Sequence, residues 1–265
     1  MSFYQSNLDN IGPEPLTDKC IVLDLDECMA RSFTTPFIEE LGIFKNPQLQ
    51  SLRSRVYRLR LKDVNAPRGN GAVLNIEGIR RPHLNEFLAF CFAYFKVVAV
   101  WSAGKKEYVL AAVDAIFKNI KMPHVIYTYS DLEFDTVGNY DKRLQKMIDE
   151  VPNLNKYMNL SNVYMVDDLI ANFKSNPQNG ILIPAYRPAA TISELMADDI
   201  AFLQLMKWLS QQKIAYAADV RLLDKTQIFE TPLEDYPASR GLKPQSILAT
   251  PQYHTINTSY PIIVN

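Results

Sequence analysis

Four short, continuous apolar runs punctuate the chain: Cys20 to Leu25, Val97 to Trp101, Val163 to Val166 and Ile181 to Ile183. Continuous rather than alternating apolarity marks strands covered on both faces, as in a parallel sheet. Between them lie patterns of helical period. Pro82 to Phe95 opens with a proline suited to the first helical turn. Lys105 to Lys118 sets Val109, Ala112, Val113 and Ile116 on one stripe, and Tyr140 to Glu150 follows. The pattern predicts a last helix over Ile192 to Gln212, where Thr191 and Glu194 have capping-box spacing and Ile192, Leu195, Phe202, Met206 and Leu209 turn inward. Such alternation predicts an α/β fold with a doubly wound, mainly parallel sheet, whose ligands sit beyond the carboxyl ends of the strands.

Two insertions break this rhythm. Arg55 to Lys62 alternates basic and apolar residues, a turn-rich Ala66 to Gly71 follows, and Val73 to Ile76 completes an expected β-hairpin. Val125 to Asn139 reads as a shorter strand pair. The expected organisation is an N-terminal extension (1–18), one domain (19–212) with insertions at 33–80 and 122–140, and an extended C-terminal tail (213–265). The tail reading rests on five prolines between residues 231 and 265, at 232, 237, 244, 251 and 261.

Composition narrows the function classes. The chain has 265 residues, 48% hydrophobic and 22% charged, ordinary globular usage that excludes wholesale disorder, collagen and coiled coil. Lys and Arg number 28 against 29 Asp and Glu, so no global basic excess announces a nucleic-acid partner. Cys20, Cys28 and Cys91 form neither a zinc pattern nor a disulfide framework, which points to a reducing compartment. The first fifteen residues lack a basic start and an apolar core, and the most apolar stretch, Phe87 to Trp101, is interrupted by Lys96 and falls short of the ~20 residues of a membrane span. The expectation is an intracellular protein, cytoplasmic or nuclear, neither secreted nor membrane-bound.

The chemistry concentrates at two strand ends. Val22-Leu23-Asp24-Leu25-Asp26-Glu27 and Val163-Tyr164-Met165-Val166-Asp167-Asp168 each run from apolar strand directly into acids. A carboxylate buried in mid-strand without a partner is costly, so these acids belong at the strand ends, where something positive compensates. Each pair is either a helix N-cap after a strand or, if the strands are neighbours, part of one carboxylate cluster. Oxygen-only ligation of the second kind suits Mg²⁺, which keeps waters and accepts a substrate phosphate.

These residues resemble the haloacid dehalogenase superfamily, and within it the Fcp/Scp-like (NLI-interacting-factor-like) CTD phosphatases. The stretches that carry the resemblance run from Lys19 to Ser210 and keep the family's order. They are Leu23-Asp24-Leu25-Asp26-Glu27, Arg81-Pro82-His83-Leu84-Asn85-Glu86-Phe87-Leu88, Val100-Trp101-Ser102-Ala103-Gly104 and Gly138-Asn139-Tyr140-Asp141-Lys142. Val166-Asp167-Asp168 completes them, followed by Asn172, Pro177, Asn179-Gly180 and Pro184. Cys28 and Met29 stand where the family usually has Thr-Leu, and Ser102 where Thr is commoner.

The resemblance implies a haloacid-dehalogenase-like fold and a Mg²⁺-dependent phosphatase acting on phosphoserine or phosphothreonine in proteins, with the RNA polymerase II C-terminal repeat as a family substrate. It implies Asp24 as nucleophile, Asp26 as general acid and then base, and Ser102 and Lys142 as partners of the phosphate. The implied Mg²⁺ ligands are Asp24, the Asp26 carbonyl, Asp167 and Asp168. Without the resemblance, Ser102-Ala103-Gly104 is also a plain turn, Lys142 a solvated helix residue, and His83 structural.

From Arg53 to Arg81 eight basic residues face two acidic ones. This run is either a solvated strand face or a surface that steers an anionic substrate, with Arg58, Arg60 and Lys62 as candidate substrate-binding residues. Two other functions stay open at this stage: a nucleic-acid or small-molecule phosphatase on the same machinery, and a catalytically idle interaction module. Nucleic acid is the less favoured partner, because no aromatic-rich strand accompanies the basic run.

Overall fold

The apolar run after Lys19 can bury both of its faces only inside a sheet, and that is where the computed structural model places it. The structure describes residues 5–8, 11, 15–62, 73–134, 136–138 and 140–235. The chain begins with β1 (Gln5–Ser6) and β2 (Cys20–Leu23), then builds an insertion from β3 (Ala30–Phe33), α1 (Gln50–Arg53), β4 (Val56–Lys62) and β5 (Val73–Arg80). It returns to the body through α2 (Leu84–Tyr94), β6 (Val97–Trp101), α3 (Lys106–Phe117) and β7 (Val125–Tyr127). A small pair, β8 (Glu133–Phe134) and β9 (Tyr140–Asp141), precedes α4 (Leu144–Glu150), β10 (Val163–Asp167) and β11 (Gly180–Leu182). The last helices are α5 (Ile192–Met196), α6 (Ala201–Leu209) and α7 (Gln212–Ala215).

The main sheet has the order β1-β7-β6-β2-β10-β11, parallel except for the edge strand β1. Alternate residues of its strands feed two cores. Ile21, Leu23, Val98, Val100, Tyr164 and Val166 pack with α2, α3 and α6, while Cys20, Val22, Ala99, Trp101, Val163 and Met165 pack with α4 on the other face. The fold is therefore α/β with a doubly wound, mainly parallel sheet. After β2 the chain adds β6 and β7 on one side, and later β10 and β11 on the other. The order reverses between β2 and β10, and a crevice at such a switch point is where α/β sheets bind ligands.

The insertion folds as a three-stranded antiparallel sheet, β3-β5-β4. The expected hairpin is its β4-β5 part, while β3 has no signal in the sequence; the expected turn at 66–71 lies outside the described residues. The expected pair over Val125 to Asn139 divides instead. Val125–Tyr127 joins the main sheet, and β8 pairs with β9. The helix predicted from Tyr140 starts at Leu144, because Tyr140 and Asp141 are used in that pairing.

The single helix predicted over Ile192 to Gln212 is two helices, α5 and α6, with α7 beginning at its last residue. Asp199 breaks it: its carboxylate pairs with both ends of the Arg81 guanidinium at 2.9 Å and accepts the Ala201 N–H, which starts α6. Thr191 does cap Glu194, but Ile192 is exposed. Of the tail, which the proline content leaves either wrapped on the body or disordered, the described residues up to Asp235 pack on the body. Val220 and Ile228 are buried in the core, and Gln204 holds the Phe229 and Thr231 carbonyls. The prolines from 237 onward lie outside the described residues.

Candidate active site

The pairing register of β2 and β10 brings the two acidic strand ends side by side. Leu23 is opposite Val166, so Asp24 and Asp167 leave adjacent strands at one level, tied by the Asp24 N–H to the Val166 carbonyl at 2.9 Å. Asp24, Asp167 and Asp168 each offer an oxygen within 4.8 Å of the others. Asp24 and Asp167 are buried.

The side chain that compensates them comes from a third element. Lys142 follows β9, is fully buried, and places Nζ 2.5 Å from Asp24 Oδ1 and 2.7 Å from Asp167 Oδ2. Its backbone is clamped by Asn176, whose Nδ2 donates to the Lys142 carbonyl and whose Oδ1 accepts the Leu144 N–H. Asn172 donates Nδ2 to both Asp167 oxygens at 2.8 Å, and the Leu169 N–H adds a bond at 2.9 Å. Arg187 crosses the rim, paired with Glu27 and, at 3.2 Å, with Asp168.

Asp26 is held apart from this cluster. Its Oδ1 accepts from the Tyr108 hydroxyl, and its Oδ2 has a 3.4 Å contact with Ser102 Oγ. Ser102 is buried at the end of β6, and its Oγ also accepts the Gly104 N–H at 3.0 Å, closing the Ser102-Ala103-Gly104 turn. The electrostatics follow from burial. It pushes the Asp24 carboxyl up; Lys142 pulls it down and Asp167 pushes it up again, with a net upward shift. Burial works against the Lys142 ammonium, but Asp24 and Asp167 outweigh it and hold the lysine above its ordinary value. Asp26 is raised by burial, against the hydrogen bonds from Tyr108 and Ser102.

One buried ammonium thus faces three clustered carboxylates. A hard divalent cation is what such an all-oxygen, net negative cluster fits, and Mg²⁺ with retained waters matches that donor set. Asp24, Asp167 and Asp168 are the carboxylates that would hold it.

Arg58, Arg60 and Lys62 stand elsewhere. They occupy the exposed face of β4, whereas Tyr57, Leu59 and Leu61 of the same strand are buried. Arg58 is committed to Glu77 at 3.0 Å and Glu39 at 2.9 Å. His83 pairs with Asp198 in a left-handed turn before α2. It lines a cavity of about 410 Å³ beside Arg55, Arg80 and Arg81 to which none of the clustered acids contributes. The holding roles of Asn176, Tyr108 and Arg187 have no sequence signal of their own, since each depends on a contact between distant segments.

The family model described as NLI interacting factor-like phosphatase matches residues 19–221, from the strand before Asp24 to beyond the last packed helix. The chain belongs to the NLI interacting factor-like phosphatase family. Among curated relatives, an Arabidopsis thaliana ubiquitin-like domain-containing CTD phosphatase is 30% identical over 117 residues, 42% of this chain and 34% of that protein. The chain therefore spans about a third of the plant relative's length. A CTD phosphatase-like protein of Invertebrate iridescent virus 3 is 27% identical over 63% of this chain and 84% of its own length. A solved structure of the fission yeast RNA polymerase II CTD phosphatase Fcp1 has 19% identity and a TM-score of 0.49, covering 64% of this chain and 42% of that one. Among the described residues, no helix of this family member is long and apolar enough to cross a membrane.

Proposed function

We propose that the chain is a Mg²⁺-dependent phosphatase of the CTD-phosphatase type, hydrolysing phosphoserine or phosphothreonine in proteins through an aspartyl-phosphate. The observation that carries this reading is the buried triangle of Asp24, Asp167 and Lys142 at the switch point of the sheet. Two mutually repelling carboxylates are retained there and are compensated by one lysine. A scaffold without chemistry gains nothing from that arrangement.

Asp24 Oδ attacks phosphorus in line, forming an O–P bond as the bond from phosphorus to the serine oxygen breaks. Asp26 gives its proton to the departing serine oxygen. A water then attacks the phosphoryl group, Asp26 takes the water's proton, and Asp24 is released. Lys142 holds the Asp24 carboxylate in place and balances its charge, and the Ser102 hydroxyl donates to a phosphoryl oxygen when substrate is bound. Asp24, Asp167, Asp168 and the Asp26 carbonyl would hold Mg²⁺, which would supply charge neutralisation between the two approaching anions.

The names of the relatives support a phosphoprotein substrate such as the RNA polymerase II C-terminal repeat, and a cytoplasmic or nuclear location follows from that substrate. The test is a panel: purified protein with Mg²⁺ against an aryl phosphate, a Ser-Pro phosphopeptide and a 3′-phosphorylated oligonucleotide. Turnover of the phosphopeptide well above the oligonucleotide is expected. Preference for the oligonucleotide overturns the protein-phosphatase reading, and no turnover of any substrate overturns the enzyme reading.

A further inference from the structure

The insertion sheet reaches the active site through a line of hydroxyl groups. Tyr57 on β4, Gly78 on β5 and Ser32 on β3 are register partners across the three strands. Because Gly78 has no side chain, the Tyr57 ring lies across it; a Cβ there would stand 2.1 Å from Tyr57 Cζ. The ring thereby spans β5 and places its hydroxyl 2.9 Å from Ser32 Oγ. Ser32 Oγ is in turn 2.8 Å from the Tyr108 hydroxyl, which donates to Asp26 Oδ1. A second glycine shapes the same path, since a Cβ at Gly104 would be 2.8 Å from the Tyr108 ring.

The direction of the chain is fixed by its end. A carboxylate oxygen only accepts, so Tyr108 spends its one proton on Asp26, Ser32 must donate to Tyr108, and Tyr57 must donate to Ser32. Ser32 and Tyr108 each accept once and donate once, an arrangement in which neighbouring bonds strengthen one another. Burial holds both phenols above their ordinary range, so both keep their protons. At the far end, Asp26 Oδ1 is satisfied, and Oδ2 retains only the long contact with Ser102.

We infer that Tyr57, Ser32 and Tyr108 are positioning residues for Asp26: they pin Oδ1 so that the proton for the departing serine oxygen is carried on Oδ2. This rests on the general-acid reading of Asp26 given above. It also gives the insertion sheet a part in the chemistry, because Tyr57 belongs to that sheet and touches no reacting atom.

The test compares kcat and KM on a phosphoserine peptide, whose leaving group needs a proton, and on nitrophenyl phosphate, whose leaving group needs it little. Asp26→Asn is the reference and should lose roughly 10²–10⁴-fold on the peptide, with partial rescue on the aryl ester. Tyr57→Phe and Ser32→Ala should lower the ratio of peptide to aryl kcat by about tenfold, the scale of a slightly misplaced catalytic group, with KM unchanged. Ser32→Thr, which keeps the hydroxyl, should restore the ratio. Gly78→Ala, which displaces the Tyr57 ring, should reproduce the Tyr57→Phe result in a variant whose circular dichroism is native. If Asp26→Asn is selective for the peptide while Tyr57→Phe and Ser32→Ala lower both substrates equally or neither, the relay is only structural and the inference fails. If Asp26→Asn itself falls equally on both substrates, the general-acid reading fails and takes the inference with it.

Discussion

Replacing Lys142 by methionine removes the ammonium that lies between Asp24 and Asp167 while keeping a side chain of similar length. Breaking a buried ion pair costs about 3–5 kcal/mol, because the remaining charge stays buried without compensation. The structure places this case at the low end. Asp167 keeps three hydrogen bonds, two from Asn172 and one from the Leu169 N–H, whereas Asp24 loses the ammonium that donates to its Oδ1. A loss of about 3 kcal/mol is expected, or a Tm lower by about 6–12 °C for a domain of this size.

The pH dependence carries a sign that follows from Asp24. Burial already raises its carboxyl above the ordinary 3.8, and Lys142 opposes that rise. In the variant the folded carboxyl binds its proton still more tightly than the unfolded one, so folding stability falls as pH rises through the interval above 3.8. Because the wild-type carboxyl is itself held up to about 8, both proteins share that fall below it, so the deficit against wild type is steady up to about pH 8 and larger at about pH 9.5. Urea denaturation at both pH values, in chelator, measures it. Saturating Mg²⁺ should stabilise the variant more than wild type, and at a hundredfold excess over its dissociation constant a ligand adds about 2.7 kcal/mol. A loss under about 1 kcal/mol at the higher pH, or a deficit that grows on acidification, refutes the claim that Lys142 compensates a buried carboxylate pair.

Other expectations follow from single contacts. Glu77 accepts the Phe37 and Ile38 N–H groups at 2.6 and 2.7 Å and pairs with Arg58. Burial alone would raise its carboxyl, but these donors outweigh it and hold it below the ordinary 4.5. Its stabilisation is thus present above 4.5 and fades as pH falls below that; Glu77→Gln should cost about 1–3 kcal/mol at neutral pH by chemical denaturation, and the difference should close in acid. Arg81→Lys should destabilise by about 2 kcal/mol or more, because an ammonium cannot keep the two-pronged bond to Asp199 together with the Cys28 carbonyl. Neutralising Arg60 and Lys62 on the exposed face of β4 should raise KM for an acidic phosphopeptide with kcat unchanged, an effect that added salt removes. No change in KM at low salt would make that face merely solvated.

How much of the fold and site is legible in the sequence depends on whether the signal is local. Continuous apolarity marks β2, β6, β10 and β11, and the acids at the ends of two of these strands mark candidate residues, which become one cluster only because β2 and β10 are neighbours. β1 is two residues long, too short to show a period, and is held by pairing with Gln5 opposite Ile126. β3 and the break between α5 and α6 depend on partners far along the chain: Arg80 and Glu77 for β3, Arg81 for Asp199. The same holds within the site. Asp24, Asp26, Asp167 and Lys142 belong to motifs, but the line from Tyr57 to Asp26 exists only through the register of three strands and a glycine that lets a ring cross.

The central claim is that Asp24 carries the phosphoryl group, and trapping it is the most direct measurement. Enzyme turning over a phosphoserine peptide with Mg²⁺ is quenched in acid and reduced with borohydride, which converts an aspartyl-phosphate to homoserine, and the digest is read by mass spectrometry. The account predicts homoserine at position 24 in wild type, present only with substrate, and no turnover by Asp24→Asn of native circular dichroism. Turnover by Asp24→Asn within tenfold of wild type, or trapping at another aspartate, would contradict it.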